Sequence, residues 1–210
     1  MDKYEETFET WNKVAEKYQE KFMKLELYDD TYRFICKEIK KRNAQLLDVG
    51  CGPGNITKFL LHERPDFEVL GIDIAANMID LAKINNPNAN FAIMDTRQIT
   101  NLDARFDGIV CGFCLPYLSE TDCSKLIADS STLLNDAGIL YLSFVEGDPT
   151  QSDFQAGSSG DRVYFYYHER EHIKVQLTEH NFKLIKVFDI AYDKGEHAVE
   201  MHTVVIAKKL

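Results

Sequence analysis

The sequence predicts an α/β fold: a doubly wound, mostly parallel, seven-stranded sheet with helices on both faces. From residue 45 onward, short apolar runs alternate with amphipathic segments, which is the pattern of successive βαβ units. A glycine-rich turn follows the first apolar run, and an acidic residue ends the second. Together these features predict a nucleoside-binding site at the carboxyl edge of the sheet.

The predicted core elements follow one another in regular alternation. Strands are expected over residues 45–49, 67–72, 89–93, 106–112 and 138–145. Helices are expected over residues 55–64, 76–85 and 120–135. A further helix over 169–180 ends at Asn181, which tolerates a left-handed cap, and two strands follow over 182–191 and 199–208.

An N-terminal helical extension precedes the first strand. One face of the first helix carries apolar residues at steps of three and four, namely Phe8, Trp11, Ala15, Tyr18, Phe22 and Leu25. A second helix is expected over residues 29–42. We therefore expect one domain over residues 1–210, with helices in 1–43 and a Rossmann-like core in 44–210. The Gly-, Ser- and Asp-rich segment 146–162 is predicted to be a loop, either a mobile lid or a slack connection.

Composition excludes several classes of partner. The formal net charge of −10 argues against nonspecific binding of nucleic acid, which needs basic side chains. No apolar run approaches the length of a membrane helix, and the polar, acidic N-terminus is unlike a signal peptide. Five cysteines at irregular spacing do not suggest a disulfide framework. We expect a cytoplasmic protein that binds neither nucleic acid nor membrane.

The glycine turn distinguishes between nucleoside cofactors. Gly50, Gly52 and Gly54 form G-x-G-x-G, and Asp73 ends the next strand, where its carboxylate can accept hydrogen bonds from ribose hydroxyls. A dinucleotide fingerprint needs a third glycine or alanine at the position of Asn55. The spacing therefore favours another adenosine-containing cofactor over NAD.

The string Asp-Val-Gly-Cys-Gly-Pro-Gly over 48–54, followed by Gly-Ile-Asp over 71–73, resembles the signature of class I S-adenosylmethionine-dependent methyltransferases. Four further segments resemble that family in the same order, namely residues 75–79, 91–95, 106–111 and 133–143. The resemblance implies that the final strand pair is an antiparallel hairpin. It also implies that the N-terminal helices fold over the cofactor.

The resemblance further implies the cofactor S-adenosyl-L-methionine, the product S-adenosyl-L-homocysteine and a small-molecule acceptor. Asp73 would accept from the ribose, Met78 would pack on the adenine, Asp95 would accept from its amino group beside the Met94 amide, and Asp48 would help to hold the ammonium. The remaining implied cofactor contacts are Tyr18, Gly50, Cys51, Gly52, Gly54, Ile74, Cys111 and Phe113.

Methyl transfer needs a base only if the acceptor must lose a proton. The candidates are His168, then Tyr117, then Glu146, with His168 first because an ordinary histidine titrates near neutrality. Aromatic residues 165–167 are candidates for a substrate surface or for core packing.

Other motifs leave alternatives open. Residues 168–172 match the zinc motif His-Glu-x-x-His, but so short a pattern also arises by chance in a chain with 34 acidic residues. Cys111 and Cys114 have C-x-x-C spacing, for which buried packing is the simpler explanation. At the level of function, the alternatives are an NAD-dependent oxidoreductase and a non-catalytic protein that binds S-adenosylmethionine.

Overall fold

A computed structural model describes residues 2–157, 160–195 and 198–210. Its helices are α1 (Lys3–Lys13), α2 (Ala15–Phe22), α3 (Asp29–Glu38), α4 (Asn55–Glu63), α5 (Ala76–Asn85), α6 (Glu120–Leu133) and α7 (Arg170–Glu179). Its strands are β1 (Gln45–Val49), β2 (Glu68–Asp73), β3 (Asn90–Ile93), β4 (Phe106–Cys111), β5 (Leu134–Val145), β6 (Asp153–Ala156), β7 (Arg162–Phe165), β8 (Phe182–Gly195) and β9 (Ala198–Lys209).

The main sheet confirms the predicted fold class. Its seven strands lie in the order β3-β2-β1-β4-β5-β9-β8, and β1 pairs in parallel with both β2 and β4. The last strand, β9, is antiparallel to both β5 and β8. The order reverses direction between β1 and β4, which places a crevice outside the carboxyl ends of these strands.

Apolar side chains on the two faces of the sheet form separate core clusters. One cluster packs β4 and β5 against α6 and α7, with Leu126, Ile127 and Leu177 buried. The other packs the opposite face against α3 and α4, with Ile35 and Leu60 buried. Burial on both faces explains why the parallel strands are continuous apolar runs. Among the residues that the structure describes, no helix combines the length and the apolar character needed to cross a bilayer.

The N-terminal extension differs from the single helix predicted across residues 8–25. The structure breaks it at Val14, where φ is −97° and ψ is 12°. Both halves contact α5, but only α1 also packs extensively against β7. Helix α3 also ends earlier than predicted, at Glu38, because the Arg64 guanidinium donates to the carbonyls of Cys36 and Ile39.

The prediction of a loop over residues 146–162 is wrong in part. Strands β6 and β7 form an antiparallel hairpin in which Phe154 pairs with Tyr164, and residues 158–159, which fall between the two strands in sequence, are outside the described residues. These strands are short and flanked by polar residues, so the sequence pattern predicts a loop. Their aromatic residues are packed only by contacts with the rest of the fold. The hairpin also contacts α1: Thr10 Oγ1 donates to the Arg162 carbonyl at 2.8 Å.

The C-terminal elements follow the sequence closely. Asn181 follows α7 with a φ of +63°, which confirms the predicted left-handed position. Strands β8 and β9 extend a few residues beyond their predicted bounds. They pair along this whole length, with one register shift between Leu184 and Lys186 and another between Asp193 and Gly195.

Candidate active site

Two adjoining cavities open at the carboxyl edge of the sheet. The smaller, which we call the rim cavity, has a volume of about 700 Å³. The larger, which we call the aromatic chamber, has a volume of about 1340 Å³. The residues that line both cavities are Trp11, Tyr18, Gly50 and Tyr117. The two cavities therefore lie next to each other, on either side of these four residues.

The turn after β1 begins the rim cavity. Gly50 has a φ of +66°, and a Cβ placed there would lie 2.9 Å from Cys114 Cβ. Only glycine combines this conformation with such a close approach. The turn is tied to β2, because the Cys51 amide donates to the Ile72 carbonyl at 2.9 Å. The sequence pattern thus produces a bare backbone at the edge of the sheet.

Asp73, at the end of β2, is fixed by two backbone amides. Gly52 N donates to its Oδ2 at 2.9 Å, and Ala75 N donates to its Oδ1 at 2.9 Å. Burial raises the pKa of Asp73, and these backbone hydrogen bonds partly oppose that rise. Asp73 lines the rim cavity together with Ile74 and Met78, two other residues that the resemblance implies as cofactor contacts.

Asp95, after β3, also lines the rim cavity, and Arg97 holds it in an ion pair. Burial alone would raise the pKa of Asp95, but hydrogen bonds from the Arg97 side chain and backbone lower it overall. The neighbouring Met94 is outside the lining residues, and its amide already donates to the Asp73 carbonyl at 3.0 Å. Thr96 lines the cavity instead.

Asp48 lies beneath the glycine turn rather than in either lining. Its Oδ2 accepts a hydrogen bond from Thr57 Oγ1 at 2.7 Å, while its buried Oδ1 has no partner in the described structure. Burial raises the pKa of Asp48 to about 6, although the hydrogen bonds from Thr57 oppose this. The Asp48 carboxyl group therefore ionises less readily than an ordinary aspartate and lies under the turn without reaching either cavity.

Two other predicted cofactor residues also lie outside both linings. Gly54, with a φ of +80°, is where α4 approaches α5: a Cβ there would lie 2.4 Å from Asn86 Nδ2. Cys111 is fully buried in the core, and Cys114 lines the rim cavity in its place. By contrast, Cys51 and Phe113 line the aromatic chamber.

The helical extension supplies the aromatic wall that the two cavities share. The Trp11 ring packs edge-on against Tyr18 and Tyr117, with centroids 5.5 and 5.2 Å away. Burial raises the pKa of both tyrosines well above their ordinary value, so both remain protonated. Trp11 Nε1 is buried and has no partner in the described structure. The shared wall thus presents an unused N–H group.

Two of the three predicted base candidates lie away from these cavities. His168 is buried against β5, and its Nε2 is 2.8 Å from the Leu115 carbonyl. Burial lowers its pKa. Glu146 accepts from the Arg170 side chain at 2.9 Å and from Thr203 Oγ1 at 3.2 Å. Tyr117 alone of the three lines the site.

The zinc motif does not form its helical geometry. His168 precedes α7, so it does not share a helix face with His172, whose Nδ1 lies 3.2 Å from Glu120 Oε1. Within the described ranges, no group of three or more histidine, cysteine, aspartate or glutamate side chains is placed to hold a metal ion.

Sequence reasoning missed a polar cluster in the aromatic chamber. Tyr28, Glu200 and His202 all line it. Tyr28 Oη is 2.6 Å from His202 Nδ1, and His202 Nε2 is 3.1 Å from Glu200 Oε2. One signal could have indicated it, because period-two alternation puts His202 on the same buried strand face as Val204 and Ile206.

Comparison with known proteins agrees with this geometry. Residues 46–138 match the family model described as a methyltransferase domain, which covers β1 to the start of β5. Over these residues the chain is similar to methyltransferase domains, and its sheet has the fold of class I S-adenosylmethionine-dependent methyltransferases. The matched region holds the glycine turn, Asp73 and Asp95, whereas α1, α2 and the final hairpin lie outside it.

Among curated relatives, the malonyl-[acyl-carrier protein] O-methyltransferase of Acetivibrio thermocellus is 39% identical over 82 residues, which are 38% of this chain and 29% of that protein. An uncharacterized methyltransferase of Alkaliphilus oremlandii is 26% identical over 173 residues, 78% of each chain. Four of the curated relatives are matched over only 29% to 44% of their own length.

Solved structures share the whole fold. The magnesium protoporphyrin IX methyltransferase of Synechocystis, with bound SAM, aligns with a TM-score of 0.75 over 100% of this chain and 98% of that one, at 16% identity. A SAM-dependent methyltransferase of Methanosarcina mazei aligns with a TM-score of 0.70 over 84% of this chain and 97% of that one, at 20% identity. At such identities the likeness establishes the fold alone.

Proposed function

We propose that this protein transfers the methyl group of S-adenosyl-L-methionine to a small-molecule acceptor and releases S-adenosyl-L-homocysteine. The observation that carries the proposal is the pairing of Asp73 with the bare glycine turn at Gly50 and Gly52 in one cavity. A carboxylate fixed by two amides can receive both ribose hydroxyls, while the turn leaves room for the rest of the ligand.

The charge of the rim cavity supports this cofactor over a dinucleotide. Its described lining contains two carboxylates, Asp73 and Asp95, and none of these lining residues is lysine, arginine or histidine. A sulfonium and an ammonium group suit such a lining, whereas a pyrophosphate would be repelled by it. The NAD-dependent alternative therefore has no support from this site.

The residues present also fit the polar ends of the cofactor. The unpartnered Trp11 Nε1 can donate to its carboxylate, together with the protonated hydroxyls of Tyr18 or Tyr117. Met78 offers a buried, polarizable surface to the adenine. Asp95, held by Arg97, presents a fixed acceptor to the adenine amino group.

When bound, the cofactor supplies a methyl group already activated by a positive sulfur. The protein then has to align the acceptor and exclude water, which can contribute several kcal/mol. Trp11, Tyr18 and Tyr117 occupy the boundary between the two cavities, so they would orient the acceptor toward the rim. We propose that the helices in residues 1–43 form a cap over the cofactor, since the cavity-lining residues Phe8, Trp11 and Tyr18 come from α1 and α2.

Titration calorimetry with S-adenosyl-L-methionine and with NAD tests the proposal. We expect saturable binding of the first compound alone. Asp73→Ala should weaken it by about 1–3 kcal/mol, roughly 5- to 150-fold, because ribose hydroxyls lose a charged acceptor. The control Asp136→Ala removes an exposed carboxylate outside the cavity linings and should leave affinity unchanged. An unaltered dissociation constant for Asp73→Ala would refute the site.

A further inference from the structure

The cluster at the back of the aromatic chamber has the arrangement of a proton relay. A carboxylate only accepts hydrogen bonds, so the His202 proton lies on Nε2 and points to Glu200 Oε2 at 3.1 Å. In the neutral tautomer with this proton, His202 Nδ1 is an acceptor, and the Tyr28 hydroxyl donates to it at 2.6 Å. The three side chains then form one chain of hydrogen bonds from the Tyr28 hydroxyl to the Glu200 carboxylate.

Aromatic packing holds the histidine in place. Tyr192 of β8 stacks on the His202 ring at 4.8 Å with an interplanar angle of 12°. The Phe113 ring, after β4, lies 4.8 Å from the His202 ring on a tilted plane. The Tyr28 ring is nearly parallel to the His202 ring, with their centroids 6.1 Å apart. Among the described side chains, these contacts place the titratable groups Tyr28, Tyr192 and Glu200 against His202, and they come from three different parts of the chain. Exposed Lys21 lies over the Tyr192 ring at 5.9 Å.

We propose that the aromatic chamber binds a hydroxylated aromatic acceptor and that Glu200, His202 and Tyr28 remove its hydroxyl proton during O-methylation. This inference rests on the proposed methyltransferase function. Tyr28, which would touch the acceptor, is the catalytic residue, and Glu200 is a positioning residue for His202.

The chamber's lining favours that class of acceptor. Nine of its 23 described lining residues are phenylalanine, tyrosine or tryptophan, so a planar ring can pack by offset or edge contacts. A phenol ordinarily has a pKa of about 10, against about 15.7 for water, so a phenol is far closer to an imidazole in acidity than an alcohol is. A neutral amine would attack without losing a proton first, and would not need the relay.

The proposed step balances atom by atom. The acceptor hydroxyl gives its proton to Tyr28 Oη as Tyr28 gives its own proton to His202 Nδ1. The acceptor oxygen bonds to the methyl carbon while the carbon–sulfur bond breaks and its electron pair goes to sulfur. His202, now an imidazolium paired with Glu200, returns its proton to water after the product leaves. Burial raises the pKa of Tyr28 well above its ordinary value. Tyr28 therefore accepts the acceptor's proton as it donates its own to His202, and it is not left as a tyrosinate.

The first test needs neither cofactor nor turnover. 4-Nitrophenol changes colour when it ionises, so its ionisation can be followed by absorbance while it is bound to the protein. We expect the relay to lower the pKa of bound 4-nitrophenol by about one pH unit relative to the free compound. His202→Gln and Tyr28→Phe should abolish that lowering, because burial then acts alone.

Two matched variants serve as controls. His168→Gln replaces another buried histidine outside both linings, and Tyr141→Phe removes another buried hydroxyl, which is 3.0 Å from Thr31 Oγ1. Both should retain the wild-type colour titration. Absence of saturable 4-nitrophenol binding, or an unshifted titration in the wild type, would overturn the proposal, as would a wild-type titration in His202→Gln.

The second test compares two phenols as methyl acceptors at pH 8. For 4-methylphenol, which is un-ionised there, His202→Gln should lower kcat by about 10²- to 10⁴-fold. For 4-nitrophenol, which is already ionised, the loss should be less than about tenfold. Equal losses for both phenols would show a merely structural role. A shifted colour titration with no methyl transfer to either phenol would instead count against the proposed function alone.

Discussion

The rim cavity and the aromatic chamber share a wall but are built in different ways. The polar rim groups come from successive strand ends, at Gly50, Asp73 and Asp95, and backbone amides fix the first two of these. The chamber is assembled from side chains far apart in sequence, such as Tyr28 and His202. A site made from backbone turns is visible in short motifs, whereas a site made by long-range packing is not.

The largest effect is expected at Gly50, one of the four residues that line both cavities. Gly50→Ala combines a φ of +66° with a Cβ only 2.9 Å from Cys114 Cβ. We expect it to lower the free energy of unfolding by about 2–4 kcal/mol, measured by urea titration, because strain and overpacking add. Gly52→Ala is the control: its φ of +53° carries the strain, but its nearest neighbour is 3.6 Å away. Equal losses would show that the Cys114 contact is unimportant.

The next largest effect concerns Asp48, the buried carboxyl group under the glycine turn, and the pH dependence of folding stability. Asp48 has a folded-state pKa of about 6, raised above the ordinary 3.8 by burial. The folded state thus binds a proton more tightly than the unfolded state, so wild-type stability falls as pH rises from about 4 to 6 and then levels off. Asp48→Asn should be more stable than wild type by about 1–3 kcal/mol at pH 8, with the gap closing toward pH 4.

Urea titrations of both proteins at pH 4, 6 and 8 measure that gap. Because Asp48 lies outside both linings, its replacement should change the affinity for 4-nitrophenol little. A stability difference that stays constant across the pH series would contradict the assignment of a raised pKa to this carboxyl group.

The smallest effect is expected for Phe165→Leu, which tests whether the aromatic chamber and the rim cavity bind their ligands independently. Phe165 lines only the chamber, where its ring lies 6.0 Å from Tyr117. Phe165→Leu should weaken 4-nitrophenol binding by about 0.5–1.5 kcal/mol, because an aromatic contact is lost, while cofactor affinity stays the same. Calorimetry with each ligand measures both. Phe188→Leu, which alters a ring packed on Phe34 outside both linings, should change neither affinity. A loss of cofactor affinity in Phe165→Leu would show that the two regions are not separable.

Local signals accounted for most of the sheet and its rim. The glycine turn, Asp73 and Asp95 stand where the sequence placed them, because strand ends and tight turns depend on neighbouring residues. Gly54, Cys111 and Met94, which the resemblance implies as cofactor contacts, lie outside the lining of the rim cavity. Their motifs gave the right turn or strand, and only the packing shows which atoms face a cavity.

The sequence by itself determined the alternation of strands and helices and the acidic, glycine-rich edge on which a nucleoside can rest. The tertiary structure alone decided that α1 and α2 separate at Val14, that a hairpin forms within residues 146–162, and that His202 meets Tyr28. The reason is physical. Periodicity and turn chemistry are local properties, whereas contacts between distant residues depend on how all the layers pack together.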